Sequence, residues 1–105
     1  MKDSIVIDMQ YADYDLIDGT PNVHRHHIFE GVANRPLSDA DGLWVPLSQE
    51  HHEGKLSVHN NKEMCTLMHI IGQLAYEKKY YKDLCGIKDD PAREQFRSRY
   101  MRSYL

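Results

Sequence analysis

Apolar positions change their spacing along this chain, and the change divides it. Val23 to Phe29 and Leu43 to Leu47 are short runs of β-branched, aromatic and aliphatic residues, and each reads as a strand. Pro46 restricts the second run to a sheet edge or to its own end. Ser48 is a candidate N-cap for a short helix carrying Gln49 to His52, which Gly54 would stop. Farther on, Met64, Leu67, Met68, Ile71, Leu74 and Ala75 keep helical spacing and predict a core-facing helix over 61–84, capped by Asn60 or Asn61 and ended by Gly86. Asp90-Pro91 opens a last helix, on which Phe96, Tyr100 and Tyr104 form one packed stripe, with Arg93, Arg97, Arg99 and Arg102 mostly elsewhere around it. Before the first strand, Ser4 to Met9 reads as an edge strand or an ordered arm, and Gly19-Thr20-Pro21-Asn22 as a turn. Gly31 to Gly42, broken by Pro36, reads as a loop. The result is an α+β protein: two strands, a small helix, then two larger packed helices.

At 105 residues the chain has the length of one domain, of about 100–150 residues. A hydrophobic fraction of 41% and a charged fraction of 28% are those of a soluble globular protein. The core is small, so a bound metal would add useful stability. No segment approaches the roughly 20 apolar residues of a membrane span. The amino end lacks a signal-peptide pattern, so the expected location is the cytoplasm, with no membrane partner. Cys65 and Cys85 are the only cysteines, not in a CxxC pair, and read as reduced thiols.

The net charge of −3 is unevenly placed. Residues 1–54 hold ten Asp/Glu against three Lys/Arg, a balance of −7, whereas residues 55–105 hold six against ten, a balance of +4. A basic surface attracts phosphates, and an acidic one repels DNA or imitates it.

Six of the seven histidines fall between positions 24 and 59: His24, His26, His27, His51, His52 and His59. Neutral imidazole is the commonest protein ligand for zinc and related ions. Side-chain alternation on a strand sends His26 and His27 to opposite faces, unless twist at the strand end relaxes this. His51 and His52 lie about 100° apart on a helix, so one metal would take one of them. His59 can fold back from the loop after Gly54. Three histidines from strand, helix and loop could then hold one ion and leave a position for water or a phosphate oxygen. His69, beside Met68 and Ile70, reads as structural or exposed. Tyr80 and Tyr81 are candidates for stacking on bases, though packing or surface exposure is the plainer reading.

The stretch His24-Arg25-His26-His27-Ile28-Phe29-Glu30-Gly31-Val32-Ala33-Asn34-Arg35 resembles the small HNH endonucleases common in phage genomes. Gly42-Leu43-Trp44-Val45-Pro46-Leu47, His51-His52, Val58-His59 and Ile71-Gly72-Gln73-Leu74-Ala75-Tyr76-Glu77 follow in the same order, so the resemblance covers about four-fifths of the chain. It implies a ββα-metal (His-Me finger) core within a single HNH-like domain: an acidic arm over 1–22, the core over 23–60, and carboxyl-terminal helices over 61–105. It also implies that His27 is the general base, that Asn34 orients it and that Arg35 contacts phosphate. His26, His52 and His59 are the implied ligands of one divalent ion, with His51 as an alternative to His52. Zinc is the first candidate for the bound ion, with Mg, Mn or Ni for activity.

The departures are as informative. Many such proteins carry a CxxC before the HH pair and a further cysteine after the GLWV strand, forming a structural zinc site. Here those places read Tyr11 to Leu16 and Ser48, so that second zinc is not expected, and His51 is its leftover ligand. Two functions fit: a metal-dependent DNA endonuclease or nickase, including a DNA-packaging accessory nuclease that needs partner proteins, or a non-enzymatic phage effector. The effector would keep the metal as a staple and block a host CRISPR or other defence protein, as an anti-CRISPR does. Its acidic half suits a partner groove built for nucleic acid.

Overall fold

The computed structural model describes residues 2–54, 57–81 and 91–105, except for the side chains of Tyr80, Tyr81 and Pro91. The readings of Tyr80 and Tyr81 as stacking residues, of Cys85, of the Gly86 stop and of the Asp90 cap therefore lie outside the described residues. Strands β1 (Val23–His27) and β2 (Trp44–Ser48) pair antiparallel, with Val23 opposite Ser48 and His27 opposite Trp44. Between them runs α1 (Asn34–Ala40); after them come α2 (Gln49–Glu53), α3 (Lys62–Tyr81) and α4 (Pro91–Tyr100). The protein is α+β, a two-stranded sheet with four α-helices among the described residues. None of these helices is long and apolar enough to cross a membrane.

The caps act where the sequence places them. The Ser48 hydroxyl accepts from the His51 amide, and Gly54 closes α2 with its amide on the Glu50 carbonyl. Asn61 Oδ1 accepts from the Met64 amide at 2.9 Å, opening α3. The segment expected to be loop, Gly31 to Gly42, instead contains α1. Pro36 permits this because it stands in the first helical turn, where an amide has no intrahelical partner to lose. Ser38, a polar residue in that segment, is fully buried. Its hydroxyl donates to the Leu43 carbonyl at 2.6 Å and accepts from the Phe29 amide at 3.3 Å, so it ties the two strand extensions together.

Ser4 to Met9 forms an ordered arm rather than a strand, ending in a short 3-10 turn at Met9–Tyr11. The stretch from Lys2 to Leu16 covers the unpaired side of β2: the Ser4 hydroxyl donates to the Trp44 carbonyl, the Trp44 indole donates to the Lys2 carbonyl, and the Leu16 amide donates to the Pro46 carbonyl. Such cover protects an edge from pairing with other chains. Gly42 is required here, since it takes φ +71° and a Cβ would sit 2.6 Å from the Asp3 carbonyl.

Phe29 lies at the centre of the core. Its ring meets Phe96 at 5.3 Å, Tyr100 at 4.6 Å and His69 at 5.3 Å between centroids. Gly72 lets α3 approach this ring, because a Cβ there would stand 2.7 Å from Ile28 Cγ2 and 3.0 Å from the Phe29 ring. The buried stripe of α3 runs through Met68, Gly72, Gln73 and Tyr76, so Leu67 and Leu74, expected in the core, face outward. Tyr104 also departs from expectation: α4 ends at Tyr100, and Met101 turns the chain at φ +67°. Gln73 holds that tail in place, donating to the Ser103 hydroxyl and accepting from the Tyr104 amide. Tyr104 thereby still reaches His69 and Phe29. Finally, Asp41 at the end of α1 accepts from Arg99 at 2.6 and 2.9 Å and from the Tyr100 hydroxyl at 2.7 Å, joining α4 to the strand unit.

Candidate metal centre

Three separate segments deliver His26, His52 and His59 to one point. His26 lies on β1 with its side chain turned inward, and is 3% exposed. His52 comes from α2, whose start at the Ser48 cap sets which side of the helix faces β1. His59 arrives on the return loop, held by the Val58 amide on the His51 carbonyl and by Asn60 Nδ2 on the carbonyls of Glu53 and Gly54. One ring nitrogen from each histidine lies within 4.8 Å of the other two. The ring centroids are 4.7–5.4 Å apart. Uncompensated imidazoles this close repel one another when protonated, and neutral imidazoles with converging lone pairs suit a divalent cation. The three residues therefore form a group that could hold a metal ion.

The electrostatics follow from this crowding. Burial, and then the neighbouring His52 and His59, hold His26 down to about 3. Burial and then His59 lower His52 as well. Both side chains are thereby kept neutral, the form that ligates. For His26 the folded value lies below the ordinary one of 6.5, so between these values the unfolded chain binds the extra proton. Stability of the metal-stripped protein should therefore fall as pH drops from 6.5 towards 3, with a slope from His26 of about 1.4 kcal/mol per pH unit. Urea denaturation across that range checks it, and a flat profile would contradict the buried neutral imidazole.

His27, the next residue along β1, places its Nε2 3.4 Å from Asp39 Oδ1. Asn34, implied to orient this histidine, does not meet it among the described contacts. It is the first residue of α1 rather than a loop residue, and Asp39 from the same helix occupies the partner position. A cavity of about 290 Å³ nevertheless brings His27 and Arg35 together with His26, His52 and His59. The same cavity is lined by Glu30, which the sequence reading passed over. Glu30 Oε1 lies 3.5 Å from His26 Nε2, and its Oε2 lies 3.5 Å from His59 Nδ1. Its signal in the sequence was a carboxylate four residues beyond His26, within the histidine-rich stretch.

His51 does not join the triad. It turns away from His52, and its Nδ1 lies 2.9 Å from Asp15 Oδ2. Asp15 also accepts from the amides of Ser48, Ile17 and Asp18. Burial alone would raise its carboxyl, but these bonds and that from His51 outweigh burial and hold it well below the usual carboxylate range. Asp15, Ser48 and His51 thus form a hydrogen-bonded knot pinning the acidic arm to the start of α2. Asp18 lies close enough that Asp15, Asp18 and His51 form a second group of potential donors. His24 is exposed, with its Nδ1 3.4 Å from His52 Nδ1. His69 is half-buried between Phe29 and Tyr104, and burial followed by the charge of Arg102 lowers its pKa. It is structural. Cys65, a free thiol, lies 3.8 Å from His69 Nε2 and is raised by burial and by Glu30.

Comparison with protein-family models, curated proteins and solved structures found no match to this chain.

Proposed function

We propose that this chain is a phage-type HNH-family protein that cleaves or nicks DNA with a divalent metal held by His26, His52 and His59. The observation that carries the reading is the shared cavity, in which His27 and Arg35 face the same space as the three-histidine cluster. The antiparallel pairing of β1 with β2, followed directly by α2, supports the reading of a ββα-metal core. In this reading His27 is the general base. Asp39 engages its Nε2, which leaves Nδ1 to take a proton from water and lets the carboxylate stabilise the imidazolium that forms. Arg35, exposed at the mouth, would hold a phosphate. The cation, when bound, supplies charge stabilisation to the scissile phosphate and the leaving oxygen.

Supercoiled plasmid incubated with Mg²⁺, Mn²⁺, Ni²⁺ or Zn²⁺ tests this. Wild type should nick with at least one of them, and His27→Ala should lower the rate by about 100-fold or more while leaving metal content unchanged. No nicking with any of the four ions would overturn the enzymatic reading.

The acidic arm favours a second reading, a catalytically inactive effector that inhibits a host defence nuclease such as a CRISPR protein. Tyr11, Tyr14, Leu16 and Ile17 are exposed there among Asp8, Asp13 and Asp18. Exposed aromatic and aliphatic side chains ringed by carboxylates suit a basic groove. Inhibition of such a nuclease by wild type and His27→Ala alike, lost on Tyr11→Ser with Tyr14→Ser, would support it.

A further inference from the structure

We propose that Glu30 is the fourth ligand of the metal centre, so that the resting site is closed by three histidines and one carboxylate. Ile28 and Phe29 plunge into the core directly after β1, and the chain re-emerges at Glu30 beside His26. The carboxylate then spans two of the three histidines, one oxygen to each, both at 3.5 Å. That separation is long for a charge-assisted hydrogen bond, for which about 2.7–2.9 Å is usual. A carboxylate that already reaches two of the three histidines stands one side-chain rotation from an ion they share. The oxygens lie against His26 and His59 and outside the 4.8 Å group that includes His52, so ligation requires a side-chain rotation inward. Glu30 is free to make it, being 43% exposed.

Charge points the same way. Three neutral imidazoles leave a divalent ion with its full charge beside Arg25 and Arg35, which line the same cavity. Glu30 is the one acidic residue lining that cavity among the described residues, and it offsets part of this charge. The inference rests on metal binding by the three histidines and adds a consequence for function. A closed centre is a staple, and a phosphate oxygen reaches the ion only by displacing Glu30.

Cobalt(II) loaded into the apoprotein reads the coordination directly, because four-coordinate cobalt absorbs visible light far more strongly than five- or six-coordinate cobalt. Wild type should give the intense four-coordinate spectrum and ignore added azide or inorganic phosphate. Glu30→Ala and the near-isosteric Glu30→Gln should each lose intensity and respond to azide, and Zn²⁺ affinity should fall by at least about 10-fold. Variant spectra and affinities equal to wild type, or a wild-type spectrum that azide shifts, would overturn the role of Glu30 while leaving the three-histidine centre standing. Absence of cobalt uptake by wild type would remove both.

Discussion

Asp41→Ala should destabilise the protein by about 3 kcal/mol, the low end of the cost of breaking a buried ion pair by removing one partner. Asp41 is 7% exposed and accepts from both Nε and a terminal nitrogen of the Arg99 guanidinium and from the Tyr100 phenol. Its removal leaves the Tyr100 hydroxyl without that acceptor in the core. Burial, and then the bond to Asp41, push the ionisation of Tyr100 far upward, so this hydroxyl acts as a fixed donor. Arg99 is about one-third exposed and can recover water, which keeps the loss from the upper end of the range. Tyr100→Phe keeps the ring packed on Phe29 and Phe96 and removes one bond, so its cost should be nearer 1–1.5 kcal/mol, about that of a single hydrogen bond. Denaturant melts of the two variants separate these values. Equal, negligible losses would mean that Asp41 does not join α4 to the strand unit.

His52→Ala and His59→Ala should each remove most of the bound metal and lower the melting temperature of the metal-loaded protein. With metal at about 100 times its Kd, binding contributes roughly 2.7 kcal/mol to stability. In a domain of this size that corresponds to a shift of about 10–20 °C. His52 and His59 serve this test better than His26, whose truncation also leaves a cavity in the interior. In the presence of a chelator, wild type and both variants should melt close together. Full metal content in both would mean that the ligands are elsewhere, with the Asp15, Asp18 and His51 group the next to examine.

Part of this centre was legible in the sequence because it follows from periodicity. A helix parts His51 from His52, so one ion would take one of them, but the set His26, His52 and His59 is only what the resemblance implies. Which helical histidine joins it was not legible, because that depends on the Ser48 cap and on Asp15, 33 residues before that cap, claiming His51. Helix α1 was missed because its composition of Asn, Pro, Ser and Asp is that of a loop. Tertiary bonds through Ser38 and Asp41 override that local preference. Asp39 and Glu30 were missed for a related reason. Asp39 carried no pattern and Glu30 only its spacing from His26, and the turn of α1 and the short path after Phe29 bring them to His27 and His26. On α3, spacing alone admitted Leu67 and Leu74 to the core, whereas Gly72 fixes the line of closest approach and turns them outward.

The most direct test of the account is elemental analysis of the purified wild-type protein, paired with a melt before and after chelator. About one equivalent of a divalent transition metal per chain, with a melting temperature that chelator lowers and added metal restores, is the predicted result. A metal-free protein whose melting is indifferent to both would contradict the convergence of His26, His52 and His59 on an ion.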